Sequence, residues 1–120
     1  GRMNKQEFVV NISLEEVGSK KEISSIFLNF DIIMIKILQK FYFNDSNFPN
    51  DTACYYVQQL FSELRSEGLH INLETLRKRL ESLVKLNLIE KVETYPRIYT
   101  PVRDVEKIKK LLMKVKEIFL

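Results

Sequence analysis

Arg77-Lys78-Arg79 lies inside a run of leucines spaced three and four apart, in the stretch LETLRKRLESLVKLNLIEKV from Leu73 to Val92. A guanidinium or ammonium on a helix surface donates charge-assisted hydrogen bonds to anionic oxygens or to the acceptor edges of planar rings. Thr75 and Ser82 add neutral donors within one turn, and Lys85, Lys91 and Arg97 continue the cationic series. This is the chemistry of holding a polyanion, and it makes or breaks no covalent bond. The chain has one cysteine, Cys54, and one histidine, His70, so an internal disulfide and a zinc constellation are both excluded. A cysteine packed in a helix and a histidine in a polar turn are the plain expectation for that pair. No glycine-rich phosphate loop, Ser-His-Asp spacing or converging carboxylate–histidine set is present. The expectation is a non-enzyme with no cofactor and no metal.

Charge is spread unevenly over the 120 residues. Residues 1–60 hold six Lys/Arg against seven Asp/Glu, a balance of −1, while residues 61–120 hold 13 against nine, a balance of +4. The basic excess therefore falls in the half that contains the leucine-rich stretch, as a polyanion partner would require. Three glycines and three prolines favour long helices over a turn-rich sandwich. The most apolar segment, Asp31 to Phe43, contains Lys36 and Lys40 and is too short to span a bilayer, so no membrane association is expected. A single unpaired cysteine and no visible secretory signal make the cytoplasm the expected compartment.

The elements that must position these side chains follow from periodicity. Phe8, Val10, Ile12 and Leu14 alternate with mostly polar neighbours, which predicts a short strand. Ile23, Ile26, Phe27 and Phe30 recur at helical spacing and predict a short helix. Asn29 or Asp31 would cap an apolar helix from Ile32 to about Phe43. A polar loop, NDSNFPND, ends in a cap at Asn50 or Asp51, and a helix runs on to about Glu67, where Gly68 would close it. Asn72 would cap the next helix, 72–86. Advancing about 100° per residue, that helix gathers Leu73, Leu76, Leu80, Leu83 and Val84 on one stripe. Glu74, Thr75, Lys78, Ser82 and Lys85 take the opposite face, with Arg77 and Arg79 at the margins. Helical spacing stops after Leu88, and residues 89–102 read as two strands joined across Thr94-Tyr95-Pro96-Arg97. Asp104 would cap a last helix running to Leu120.

A helix, a tight turn, a helix and a hairpin in that order resemble the winged helix-turn-helix plan. The segment LETLRKRLESLVKLNLIEKV…PRIYTPV is similar to the recurring core of that fold. YPRIYTPVRDVEKIKKLL resembles the wing and following helix of TrmB, PadR and MarR-type regulators. The trailing helix resembles that of the bacterial replication terminator, whose winged helices dimerise through a C-terminal helix. The long helix before the turn is similar to that protein and to the winged domains of archaeal origin-recognition proteins. The expected fold class is thus mainly α with a small β-hairpin. It divides into an N-terminal extension (1–30), a winged helix domain (31–103) and a dimerisation helix (104–120).

What this resemblance implies is a dimeric double-stranded DNA-binding protein, a transcription regulator. Helix 72–86 would lie in the major groove and wing 89–102 on the backbone or minor groove. On that placement the DNA-binding residues are Asn72, Thr75, Lys78, Arg79, Ser82, Lys85, Lys91 and Arg97. Arg79 or Lys78 would bond guanine O6 and N7, and Arg97 would reach the adjacent minor groove. The competing reading of the basic triplet is a solvated face paired with Glu74 and Glu81 at i, i+3 and i, i+4. Glu74, Glu90 and Glu93 beside a wing that offers only Lys91 and Arg97 favour a protein-interaction module. A replication- or chromatin-associated DNA-binding role is a further alternative. In the last helix Val105, Ile108, Leu111, Leu112, Val115, Ile118 and Phe119, with Met113, exceed what one stripe on a small domain needs. A symmetric homodimer is the expected use of that surplus. It would present two reading helices about 34–36 Å apart. No effector can be named from the sequence.

Overall fold

The computed structural model describes residues 7–13, 25–43 and 53–119, and for 7–13, 25–29 and 119 the backbone alone. In chain order the elements are β1 (Glu7–Ser13), β2 (Ser25–Asp31), α1 (Ile32–Tyr42), β3 (Tyr55–Tyr56), α2 (Val57–Ser66) and α3 (Leu73–Lys85). After these come β4 (Ile89–Val92), β5 (Ile98–Pro101), a short 3-10 helix (Val105–Ile108) and α4 (Lys109–Phe119). The chain is mainly helical with a small three-stranded antiparallel sheet of order β3-β5-β4, and β1 and β2 form a separate two-stranded sheet.

The strand expected from Phe8 is β1. The helix expected around Ile26, Phe27 and Phe30 is instead β2, with Ile23 outside the described residues. Ile26, Leu28 and Phe30 alternate with Phe27, Asn29 and Asp31, a period of two that shares Ile26 and Phe30 with the helical pattern. Pairing with β1 decides between the two periods. The register sets Phe8 against Phe30, Val10 against Leu28 and Ile12 against Ile26, apolar opposite apolar. A slip of one residue would exchange the faces.

Asp31 ends β2 and caps α1, its carboxylate accepting from the Met34 N–H at 2.9 Å. Met34, Ile35, Ile37, Leu38, Phe41 and Tyr42 are all buried, so α1 is the centre of the core. Leu60 and Leu64 of α2, and Leu76, Leu80 and Leu83 of α3, complete the packing. Each such leucine contributes about 1.5–3 kcal/mol through burial. Lys40, the one charged residue in this core among those described, reaches Glu63 at 2.8 Å and Glu67 at 2.7 Å. Burial works against its ammonium, but the hydrogen bonds to Glu63 and Glu67 more than offset that and hold its pKa above 10.5.

The helix expected from Asn50 or Asp51 begins only at Val57, and both of those caps lie outside the described residues. Tyr55 and Tyr56 pair instead with Tyr99 and Ile98, adding an unforeseen third strand to the hairpin. Two successive tyrosines suit a pleated, half-buried strand better than a first helical turn. Cys54 is consequently exposed and outside any helix, rather than packed in one.

Both helices flanking the turn close in the same way. Gly68 has φ +100, and the bonds Gly68 N–H to Arg65 C=O and Leu69 N–H to Leu64 C=O, both 3.0 Å, form a Schellman motif after α2. Asn87 at φ 62 does the same after α3, with Asn87 N–H on Val84 C=O at 2.9 Å and Leu88 N–H on Leu83 C=O at 3.0 Å. Tyr42 joins the distant parts. Its hydroxyl donates to the Leu88 carbonyl at 2.7 Å and accepts from the Val102 N–H at 2.9 Å, at the two roots of the β4–β5 hairpin. Burial raises its pKa well above the ordinary value.

The last helix departs from expectation. Asp104 makes no side-chain cap, and the first turn is 3-10. Val105, Ile108, Leu111, Leu112 and Val115 are buried in the chain's own core, with α4 packed against α1. Of the described apolar side chains in that helix only Met113 and Ile118 stay exposed, and the Phe119 side chain lies outside the description. Five of the apolar residues that pointed to a second copy are thus buried within the chain itself, and Met113 and Ile118 remain on its surface. Leu111 and Leu112 stand four and three residues before Val115 in α4, so helical spacing alone gathers all three on one buried face.

Candidate nucleic-acid interface

The N-cap expected of Asn72 is present, its side-chain oxygen accepting from the Thr75 N–H at 2.8 Å. Burial of Leu76, Leu80 and Leu83 then fixes the rotation of α3, so Glu74, Lys78, Ser82 and Lys85 project into solvent. Thr75, half-buried, flanks this face. The structure thereby brings Asn72, Thr75, Lys78, Ser82 and Lys85 together on one outer side of α3. Ser82 is partly occupied, because its hydroxyl donates back to the Lys78 carbonyl at 3.0 Å.

Arg79 does not join them. Its Nε is ion-paired with Asp31 Oδ2, so the guanidinium turns across the flank of α3 toward the start of α1. Asp31 holds α1 and α3 at once, one carboxylate oxygen on Met34 and the other on Arg79. Arg79, expected to face a base edge, is here engaged by Asp31 rather than presented beside Lys78. An i-to-i+4 count along α3 carries no information about a carboxylate 48 positions earlier.

On the opposite flank Glu81 ties α3 to the hairpin. The Tyr99 hydroxyl donates to Glu81 at 2.7 Å, and Lys91 Nζ lies 3.1 and 3.2 Å from its two oxygens. The hydrogen bond from Tyr99, and after it Lys91, hold the Glu81 carboxyl below its ordinary pKa. Burial, with Glu81 as acceptor, pushes the Tyr99 phenol up to about 12. Lys91 also approaches Glu93 at 3.6 Å, Arg97 lies 3.5 Å from Glu93, and Arg103 lies 3.3 Å from Glu90. Lys91 and Arg97 thus stand on the hairpin as expected, each beside a carboxylate.

Between the α3 flank, the start of α2 and the hairpin tip runs a groove of about 570 Å³. Arg77, at the margin of the leucine stripe, opens onto it, as do Tyr56 and Tyr95. The sequence sets Arg77 at the margin of the basic face and Tyr95 in the hairpin turn, and assigns neither to the DNA-binding set. Arg77 stands four residues before Glu81 on the same flank, so once a hairpin is placed beside Glu81 it must also stand beside Arg77. His70 is exposed beside a second surface depression near Asp31, Lys78 and Arg79. No group of three or more His, Cys, Asp or Glu among the described residues is placed to hold a metal ion. No helix among them is long and apolar enough to cross a membrane.

Comparisons with protein-family models, with curated proteins and with solved structures each return no match.

Proposed function

We propose that this chain is a winged-helix protein that binds double-stranded DNA and acts as a transcription regulator. The observation that carries the reading is the outer side of α3, where Lys78, Ser82 and Lys85 stand exposed beside half-buried Thr75, with the β4–β5 hairpin packed alongside the helix. A helix with one buried stripe and one exposed polar-basic face fits the major groove, about 12 Å wide. Its N-terminal half, from Asn72 to Lys78, would approach base edges, while Lys85 would meet phosphate. Arg97 at the hairpin tip would reach the flanking backbone by exchanging Glu93 for phosphate. Arg79 belongs to the scaffold in this account.

The test is duplex affinity measured against salt, with Lys78→Glu/Lys85→Glu alongside. Each phosphate neutralised steepens the log–log slope by about −0.9, so the double charge reversal should weaken binding and flatten that slope by roughly two such steps. Unchanged affinity and slope, with an unchanged helical signal, would remove α3 as the reader. A second reading, a protein-interaction module, is favoured by the carboxylates beside Lys91, Arg97 and Arg103. Weak duplex binding that barely responds to salt would select it.

A further inference from the structure

We infer that the groove between α3 and the hairpin is a binding site for one unpaired nucleotide, its base stacked on tyrosine and its phosphate held by arginine. The inference deepens the DNA-binding reading by specifying a site separate from the Lys78–Lys85 face.

At about 570 Å³ the groove falls within the size range of small-ligand pockets and admits a nucleotide. Three tyrosines line it: Tyr56, Tyr95 and Tyr99. Tyr99 is buried, and its hydroxyl is committed to Glu81, so its place in the wall is fixed. Tyr56 is half-exposed and Tyr95 is wholly exposed at the hairpin tip. A phenol ring held fully in water at the end of a structured turn offers a face on which a planar ring can stack. Its neighbour Pro96 restricts the backbone there, and Thr94 closes the turn by donating to the Pro96 carbonyl at 2.7 Å.

Charge selects the ligand among planar rings. Arg77, Lys91 and Arg97 line the groove against Glu81, whose oxygens are already engaged by Tyr99 and Lys91. Arg77 is exposed and forms no ion pair among the described residues, so its fork is available for a phosphate. Aromatic faces beside an available guanidinium suit a ring that carries an anion. A base paired within a duplex cannot offer its face, so the nucleotide must come from a single-stranded tail, a gap or a free mononucleotide.

The experiment measures binding of the full chain to a blunt duplex, to the same duplex with a short single-stranded tail, and to adenosine monophosphate as competitor. The tailed duplex should bind about tenfold more tightly, the worth of one stacked base. Tyr95→Ala should abolish that advantage while leaving blunt-duplex affinity and melting temperature unchanged, Arg77→Gln should weaken the tailed duplex more than the blunt one, and Tyr95→Phe should preserve the advantage. Competition by the mononucleotide that erases only the tail advantage also supports the site and shows that a free nucleotide can fill it. Equal affinity for blunt and tailed duplexes, or an advantage that survives Tyr95→Ala, overturns the inference and leaves the duplex reading standing. Tyr95-dependent binding of a single strand with no blunt-duplex binding does the reverse.

Discussion

Replacing Tyr42 with phenylalanine removes a single oxygen atom, yet that oxygen serves two buried backbone groups 14 residues apart, the Leu88 carbonyl and the Val102 N–H. The ring keeps its packing, so the apolar area buried by Tyr42 is unchanged. What changes is satisfaction. Leaving a buried donor or acceptor without a partner costs about 1–3 kcal/mol. Losing both should therefore destabilise the fold by about 2–4 kcal/mol, since the two groups relax together at one site. Against a typical total of about 5–15 kcal/mol, this is a large fraction. It corresponds to a melting temperature lower by roughly 10–20 °C for a chain of this size. Urea unfolding followed by far-UV circular dichroism reads the change, with a lower midpoint and an unaltered slope because the folded area is the same. Hydrogen exchange should speed first at the Val102 N–H, which loses its acceptor, before it speeds in α1. A loss below about 0.5 kcal/mol would refute the reasoning, because surface-like substitutions fall in that range.

Gly68→Ala should destabilise by about 1–2 kcal/mol, the cost of a side chain in the left-handed region, because an added Cβ meets no atom within 4 Å and backbone conformation alone sets the penalty; a neutral melt would count against it. The Glu81–Tyr99 pair should give stability a two-sided pH dependence. Glu81 has a depressed folded pKa, so its contribution is present above its ordinary value of 4.5 and is lost as pH falls through the folded value. Tyr99 has a raised folded pKa, so its contribution is full below 10 and is lost as pH rises toward about 12. Denaturant midpoints of the wild type and Glu81→Gln should therefore converge below pH 4.5, and parallel curves down to pH 2 would contradict the assignment.

Local signals were legible in this sequence where one residue type answers one backbone need. Gly68 and Asn72 mark the turn between α2 and α3 because a left-handed cap and a side-chain cap each admit few residue types. The leucine stripe fixed the rotation of α3, and with it the exposure of Lys78, Ser82 and Lys85. What escaped reading was set by partners remote in the chain. β2 carries two periods at once, and only pairing with β1 selects one. Tyr55 and Tyr56 become a strand because Tyr99 and Ile98 lie alongside, 40 or more positions away. How much of the apolar face of α4 the chain buries against its own core cannot be counted from α4 alone, because α1 supplies part of the packing surface.

The same distinction orders the basic residues as ligands for a polyanion. An exposed ion pair contributes little, about 0–1 kcal/mol, because water and salt screen both partners. Arg97 and Glu93, with side chains 53% and 67% exposed, are such a pair, so an arriving phosphate can take the guanidinium at small cost. Arg79 and Asp31 are 26% and 13% exposed, and Asp31 also caps α1. Drawing Arg79 away would strand a carboxylate in a half-buried site and loosen the start of the central helix, so the cost falls on the fold as well as on the pair. Lys40, 6% exposed between two glutamates, is more firmly held still. Carboxylates near a basic surface therefore do not by themselves argue against an anionic partner. The burial of each pair decides, and by that measure Lys78 and Lys85 are available outright, Arg97 at small cost, and Arg79 only at the expense of the scaffold that presents the others.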